Sequence, residues 1–293
     1  MIEFLKSFLF GIVEGITEWL PISSTGHLIL LNQFVKLDVS EEFYSMFEVV
    51  IQLGAILAVV ILFWNQIFPF GAPEGSHTVR RRQAKHAHRK KKAGNGILSY
   101  VKMDIIILWL KVLVACIPAI VIGMPFNDLF EKWFYNYPCV AIALIVFGIA
   151  FIIVENGKPA KINSMDELTY KTAFLIGLFQ LIAAIFPGTS RSGATIVGAL
   201  ILGVSRTVAA EFTFVLAIPV MFGASLLKLV KFGLNFTGTE AIILLIGMVT
   251  AFVSSIIVIQ FLMGYIKKHD FKVFGYYRIV LGILVILYAL FLA

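Results

Sequence analysis

Glu14 and Glu18 interrupt the first apolar stretch of the chain at an i, i+4 spacing, which sets both carboxylates on one helical face. Charges of one sign held so close repel, unless a cation lies between them or one carboxyl keeps a proton. A divalent cation that prefers oxygen ligands, Mg2+ or Ca2+, meets that need, with Glu14 and Glu18 as its metal ligands. No basic residue lies within a turn of either to pair with them instead. Ionisable groups in apolar runs cost a few kcal/mol each to insert, so each calls for a role.

Three residues on, Pro21 to His27 reads PISSTGH. Ser23, Ser24 and Thr25, with free backbone N–H groups near Gly26, form an anion cradle if a helix begins there. His27 follows Ser24 by three residues, within reach of the same reacting centre as base, acid or nucleophile. A second polar cluster, PGTSRSGAT, runs from Pro187 to Thr195. Arg191 offers a planar fork of donors suited to phosphate oxygens, and Thr189, Ser190, Ser192 and Thr195 add hydroxyls. Its alternative is an ion pair with Glu14 or Glu18, which is compatible with the phosphate role. Glu48 and Gln52 share a further helical face and either line the same cavity or hydrogen-bond structurally; Glu211 reads as interfacial.

The elements that position these groups must lie in a bilayer. Of 293 residues 60% are hydrophobic, and the mean hydropathy is +0.95, well above a soluble domain. Apolar runs long enough to cross about 30 Å of hydrocarbon fall near 45–64, 104–123, 138–156, 208–230, 240–264 and 277–293. The net charge of +7 is concentrated in a loop, Arg80 to Lys92, which reads as a cytoplasmic segment touching anionic lipid rather than nucleic acid. Its histidines, His77, His86 and His88, lie among Arg and Lys and read as solvated, not as metal ligands. Cys116 and Cys139 sit on separate apolar segments and indicate neither a zinc site nor a disulfide. The N-terminal stretch, broken by Glu14 and Glu18, is expected to be retained and not cleaved as a signal peptide.

Two apolar stretches, 4–37 and 172–204, are each broken midway by Pro, Gly, Ser and Thr. If the basic loop at about 65–100 and the Lys267–Lys272 loop are both cytoplasmic, segment 172–204 must begin and end on one side. The same count places residue 45 outside, so that if 4–37 is also a hairpin both termini are extracytoplasmic. An internal repeat at an offset of 166 supports the pairing: Phe8, Leu9, Gly11, Pro21 and Ser24 match Phe174, Leu175, Gly177, Pro187 and Ser190. Copies that start on opposite sides form an inverted-topology repeat, whose binding site sits where broken helices meet near the midplane. The predicted fold is an all-α polytopic membrane protein: six transmembrane helices and two re-entrant hairpins in one domain, 1–293, with halves of about 1–156 and 157–293.

The segments VEGITEWLPISSTGH and PGTSRSGAT, with FEVVIQLGAILAV at Phe47–Val59 and GVSRTVAAEFTF at Gly203–Phe214, resemble the undecaprenyl-pyrophosphate phosphatase family, the bacitracin-resistance proteins. That resemblance covers nearly the whole chain. It implies metal-dependent hydrolysis of the lipid pyrophosphate to undecaprenyl phosphate and inorganic phosphate, in a bacterial inner membrane and at an outward-facing site. It maps the family's site residues onto Glu14, Glu18, Ser23, Ser24, Thr25, His27, Ser190, Arg191 and Thr195. The basic insertion at about 71–96 departs from the family pattern. A homodimer is left open. The rival function on topology alone is a secondary transporter or lipid flippase. Among mechanisms, Ser24 as nucleophile with His27 assisting is favoured over attack by His27 or by water.

Overall fold

The computed structural model describes residues 1–71, 101–157, 159–233 and 236–291. Most of the basic loop, with its histidines and the insertion at 71–96, lies outside the described residues. The described chain is helical: α1 Ile2–Thr17, α2 Ser24–Phe34, α3 Glu41–Val50, α4 Gln52–Leu62, α5 Trp64–Ile67, α6 Met103–Pro118, α7 Asn127–Phe134, α8 Tyr137–Glu155, α9 Tyr170–Ile185, α10 Arg191–Ile201, α11 Arg206–Phe232, α12 Gly238–Tyr265 and α13 Lys272–Phe291. Among the described residues, six helical segments are long and apolar enough to span a membrane: Glu41–Leu62, Met103–Gly123, Tyr137–Glu155, Arg206–Phe232, Gly238–Tyr265 and Lys272–Phe291. They coincide with the six predicted spans to within five residues at each end. The second is completed by a π-helical turn, Ala119–Gly123, directly after Pro118, which lacks the N–H for a regular ladder.

Large apolar side chains on the outside confirm what solvent these helices meet. On α8, Ile142, Val146, Ile149 and Ile153 form an exposed stripe at helical spacing, and Leu245, Val249, Val253 and Ile257 do the same on α12. Lipid tolerates such stripes where water does not. Inside, α1 packs on α12, α9 on α6, α8 on α13, and α3 and α4 on α11. The α8–α13 contact is close because its residues are small: a methyl group on Gly148 would fall 2.7 Å from Gly275 O, and one on Gly282 would fall 2.9 Å from Ala141 O. Small residues let helices approach when lipid supplies no hydrophobic drive to pack them.

The two interrupted segments become helix–turn–helix units of matching size. Helices α1 and α9 have 16 residues each, and α2 and α10 have 11 each. At 1.5 Å per residue an 11-residue helix reaches only about 16 Å, half the hydrocarbon thickness. Both turns use one device. Ser23 (φ 76°) and Ser190 (φ 69°) are the non-glycine residues in the left-handed region among those described. Each caps its helix, Ser23 Oγ accepting from Gly26 N at 3.2 Å and Ser190 Oγ from Gly193 N at 3.1 Å. These caps pair Ser23 with Ser190, one residue out of the register in which Ser24 aligns with Ser190. The first turn therefore holds one residue fewer before its cap than the sequence match implies.

Candidate active site

Glu18 is the point where the two turns meet. It ends α1 as its C-cap and is buried, with Trp19 beside it packed edge-on against Phe214 at 5.2 Å. Ser24 Oγ donates to Glu18 Oε2 at 2.6 Å, and Arg191 Nη2 donates to Glu18 Oε1 at 2.9 Å. Ser192 Oγ adds a bond to the Glu18 carbonyl at 3.0 Å. One carboxylate thus holds a hydroxyl from the first unit and a guanidinium from the second. The ion pair is largely out of solvent, with side-chain exposures of 13% and 8%, so its Coulomb attraction is little screened and each partner depends on the other.

Arg191 is held from behind as well. Its Nη1 donates to Thr213 O at 3.2 Å, while Thr213 Oγ1 donates to Thr195 Oγ1 at 2.9 Å and Thr195 donates to Arg191 O at 2.9 Å. Ser190 Oγ and Ser192 Oγ lie 3.1 Å apart. The second unit therefore gathers Ser190, Arg191, Ser192 and Thr195 into one network, and the first unit brings Ser23 and Ser24 to its edge. Thr25 follows half-buried in the first turn of α2.

Several buried polar atoms find no hydrogen-bond partner among the described residues: both oxygens of Glu14, Arg191 Nε and Thr189 Oγ1 are in this group. Glu14 is fully buried and within Coulomb range of Glu18, Glu48 and Arg191. Unpaired polar groups at such depth are costly. Their types are complementary: Glu14 requires a cation or a donor, and the Arg191 and Thr189 donors require an acceptor. A phosphate with a bound cation supplies both. Of the acidic pair, Glu14 is the freer cation ligand, because both Glu18 oxygens already accept from Ser24 and Arg191. Among the described residues, no group of three or more His, Cys, Asp or Glu side chains is arranged to hold an ion, so any cation here must complete its shell with substrate and water oxygens.

His27 is turned elsewhere. A ring nitrogen facing a carbonyl must carry the proton, so Nδ1–H donates to Ser23 O at 2.6 Å, and Nε2 accepts from the Tyr277 hydroxyl at 2.7 Å. The two rings stack 5.6 Å apart. Both imidazole nitrogens are thus engaged away from Ser24, whose observed proton acceptor is Glu18. Helical spacing places His27 near Ser24 but does not say which way its ring turns. Glu48 lines a cavity of about 510 Å3 with Tyr44, Ser45, Glu131, Tyr135 and Lys228. Thr213, Tyr277 and Arg278 join the site without any motif in the sequence that marks them. Arg278 is fully buried and bonds to Pro21 O at 3.2 Å, Gly188 O at 2.9 Å and Thr189 O at 2.7 Å, joining both turns.

Comparison of the sequence with known proteins matches the chain to one family. The chain is 60% identical over 291 residues to the undecaprenyl-diphosphatase of Desulfitobacterium hafniense, covering 98% of this chain and 96% of the relative. It is 58% identical over 292 residues to undecaprenyl-diphosphatase 1 of Clostridium acetobutylicum, at 99% and 98% coverage. A relative from Enterococcus faecalis with the same undecaprenyl-diphosphatase name is 52% identical over 289 residues, at 98% and 97% coverage. The family model for bacitracin resistance protein BacA matches residues 7–284, and the chain belongs to that family.

Proposed function

We propose that this protein hydrolyses undecaprenyl pyrophosphate to undecaprenyl phosphate and inorganic phosphate, recycling the lipid carrier of cell-wall synthesis and conferring bacitracin resistance. Full-length similarity to undecaprenyl-diphosphatases supports the substrate. The observation that carries the chemistry is Glu18, bonded at once to Ser24 Oγ and to Arg191. Transport requires a binding site but not a hydroxyl paired with a buried carboxylate, which favours the enzyme over a transporter or flippase.

In this reading Arg191 and the hydroxyls of Ser190, Ser192 and Thr195, with Ser23, Thr25, Thr189 and the Gly26 amide, hold the pyrophosphate. Ser24 Oγ attacks the terminal phosphorus as Glu18 takes its proton. The bond from that phosphorus to the bridging oxygen breaks, and undecaprenyl phosphate departs with the electron pair. Water then attacks the phosphorus on Ser24, the P–Oγ bond breaks, Glu18 gives its proton back to Ser24 Oγ, and the proton that water loses leaves with inorganic phosphate. Arg191 offsets charge on the transferring group, the role forked donors play in phosphoryl transfer. His27, fixed by Tyr277, is a neighbour that shapes the first turn. A divalent cation, Mg2+ or Ca2+, held by Glu14 and assisted by Glu18, would add charge neutralisation at the phosphate oxygens.

The architecture we infer is a single membrane unit in which α1–α2 and α9–α10 are re-entrant hairpins entering from opposite faces, related as an inverted repeat. Support comes from their equal lengths, their shared serine caps and the matching contacts of α1 with α12 and α9 with α6. Basic cytoplasmic loops joined to an even number of spans support both termini on the outer side of the inner membrane; an outward-opening substrate cavity is what the family resemblance implies, not the span count. All the proposed site residues come from one chain, so a homodimer is no requirement of the chemistry. Stopping the purified enzyme during turnover of substrate labelled in its terminal phosphate should leave label on Ser24. Label on His27, or on no residue while turnover proceeds, would remove Ser24 as nucleophile.

A further inference from the structure

The close α8–α13 packing sinks one cation into the centre of the molecule. Arg278, in the second turn of α13, is fully buried, and its guanidinium lies 5.8 Å from the centre of the Phe147 ring. Among the described residues, no carboxylate lies within ion-pair distance of it. Its fork is spent on backbone instead: Pro21 O in the first turn, Gly188 O and Thr189 O in the second, and Leu144 O on α8 at a long 3.5 Å. A buried charge without a counter-charge is expensive, and a cheaper apolar filler would leave three turn carbonyls unsatisfied. The location matters more than the number of bonds, since these carbonyls flank the two strained serines, Ser23 and Ser190.

We propose that Arg278 is a positioning residue, a clasp that sets the separation of the two turns at which Ser24 and Arg191 act on one pyrophosphate; the inference rests on the phosphatase reading. Across a planar trans peptide the C=O and N–H point opposite ways. Holding Thr189 O therefore turns the Ser190 N–H to the far side, next to Arg191, where it serves as a further anion donor. The clasp touches no reacting atom. Its space is guarded by Gly193, where an added methyl group would fall 2.8 Å from Arg278 Nη1.

The test is a double-mutant cycle of Arg278→Lys and Gly193→Ala, assayed for kcat and KM on undecaprenyl pyrophosphate, with a thermal melt to verify folding. Lysine keeps the charge but cannot bridge both turns as a fork. In Arg278→Lys, kcat falls about 50-fold while KM moves less than about threefold, the pattern of catalytic groups displaced by roughly 1 Å. Gly193→Ala lowers kcat about tenfold alone but less when combined with Arg278→Lys, because its closest clash has gone and only the looser contact with Ser190 Cβ at 3.2 Å stays. A kcat within twofold of wild type in Arg278→Lys, a rise in KM at unchanged kcat, or an equal Gly193→Ala cost in both backgrounds would overturn the clasp. If Arg278→Lys does not fold, wild-type kcat in Gly193→Ala overturns it alone. A wild-type protein that releases no phosphate overturns the phosphatase reading itself, a result distinct from failure of the clasp.

Discussion

The two proline turns share a serine cap and differ in the side chains gathered around it. Each ends a 16-residue helix and begins an 11-residue one, and each caps the second helix with a serine in the left-handed region. The first unit then supplies acceptors and a hydroxyl, in Glu14, Glu18 and Ser24. The second supplies donors, in Arg191, Ser192 and Thr195. Where the first unit has Glu14 in its helix, the second has Gln180, also buried and also without a hydrogen-bond partner among the described residues. The two units of matching helix length thus differ in charge as well as in cap register, and in the proposed reading one side binds the anion and the other reacts with it.

The most severe way to break that division is Ser24→Ala. It removes the oxygen proposed to attack and should lower phosphate release by about three orders of magnitude or more, with the fold retained. Next, Arg191→Ala should cost about 10^2- to 10^3-fold, and Arg191→Lys should recover less than a tenth of the activity because a point charge lacks the fork. Both are read from initial rates with purified protein in detergent. Glu14→Gln should raise the divalent-ion concentration needed for half-maximal rate about tenfold or more, while Gln180→Leu in the second unit leaves rate and ion dependence within about threefold. Removing an unsatisfied buried amide should also raise the melting temperature of Gln180→Leu slightly. The smallest effect belongs to the shared device: Ser23→Ala loses a helix cap at about 1 kcal/mol of stability, and Ser23→Gly less, since glycine accepts the positive φ without strain.

Much of this site was legible because polar groups in apolar sequence are conspicuous. Glu18, Ser24 and Arg191 each stand out within the broken stretches, and the structure joins them in one set of hydrogen bonds. Arg278 escaped for the opposite reason. A basic residue near the start of the last predicted span looks like one that reaches back to the interface, whereas α13 begins six residues earlier, at Lys272, and places Arg278 at depth. The orientation of His27 was equally out of reach, because its partner Tyr277 lies 250 residues away in the chain. The six spans were readable to within five residues, since length and hydropathy suffice to find them. The cap register was not, because one residue can be absorbed in a turn without changing composition.

The most direct measurement is phosphate release from undecaprenyl pyrophosphate by the purified wild-type protein beside Ser24→Ala and Arg191→Ala, one substitution from each turn. Turnover by the wild type, abolished by Ser24→Ala and lowered at least about 100-fold by Arg191→Ala in folded protein, is the predicted result. Wild-type rates in either variant would contradict the joint site.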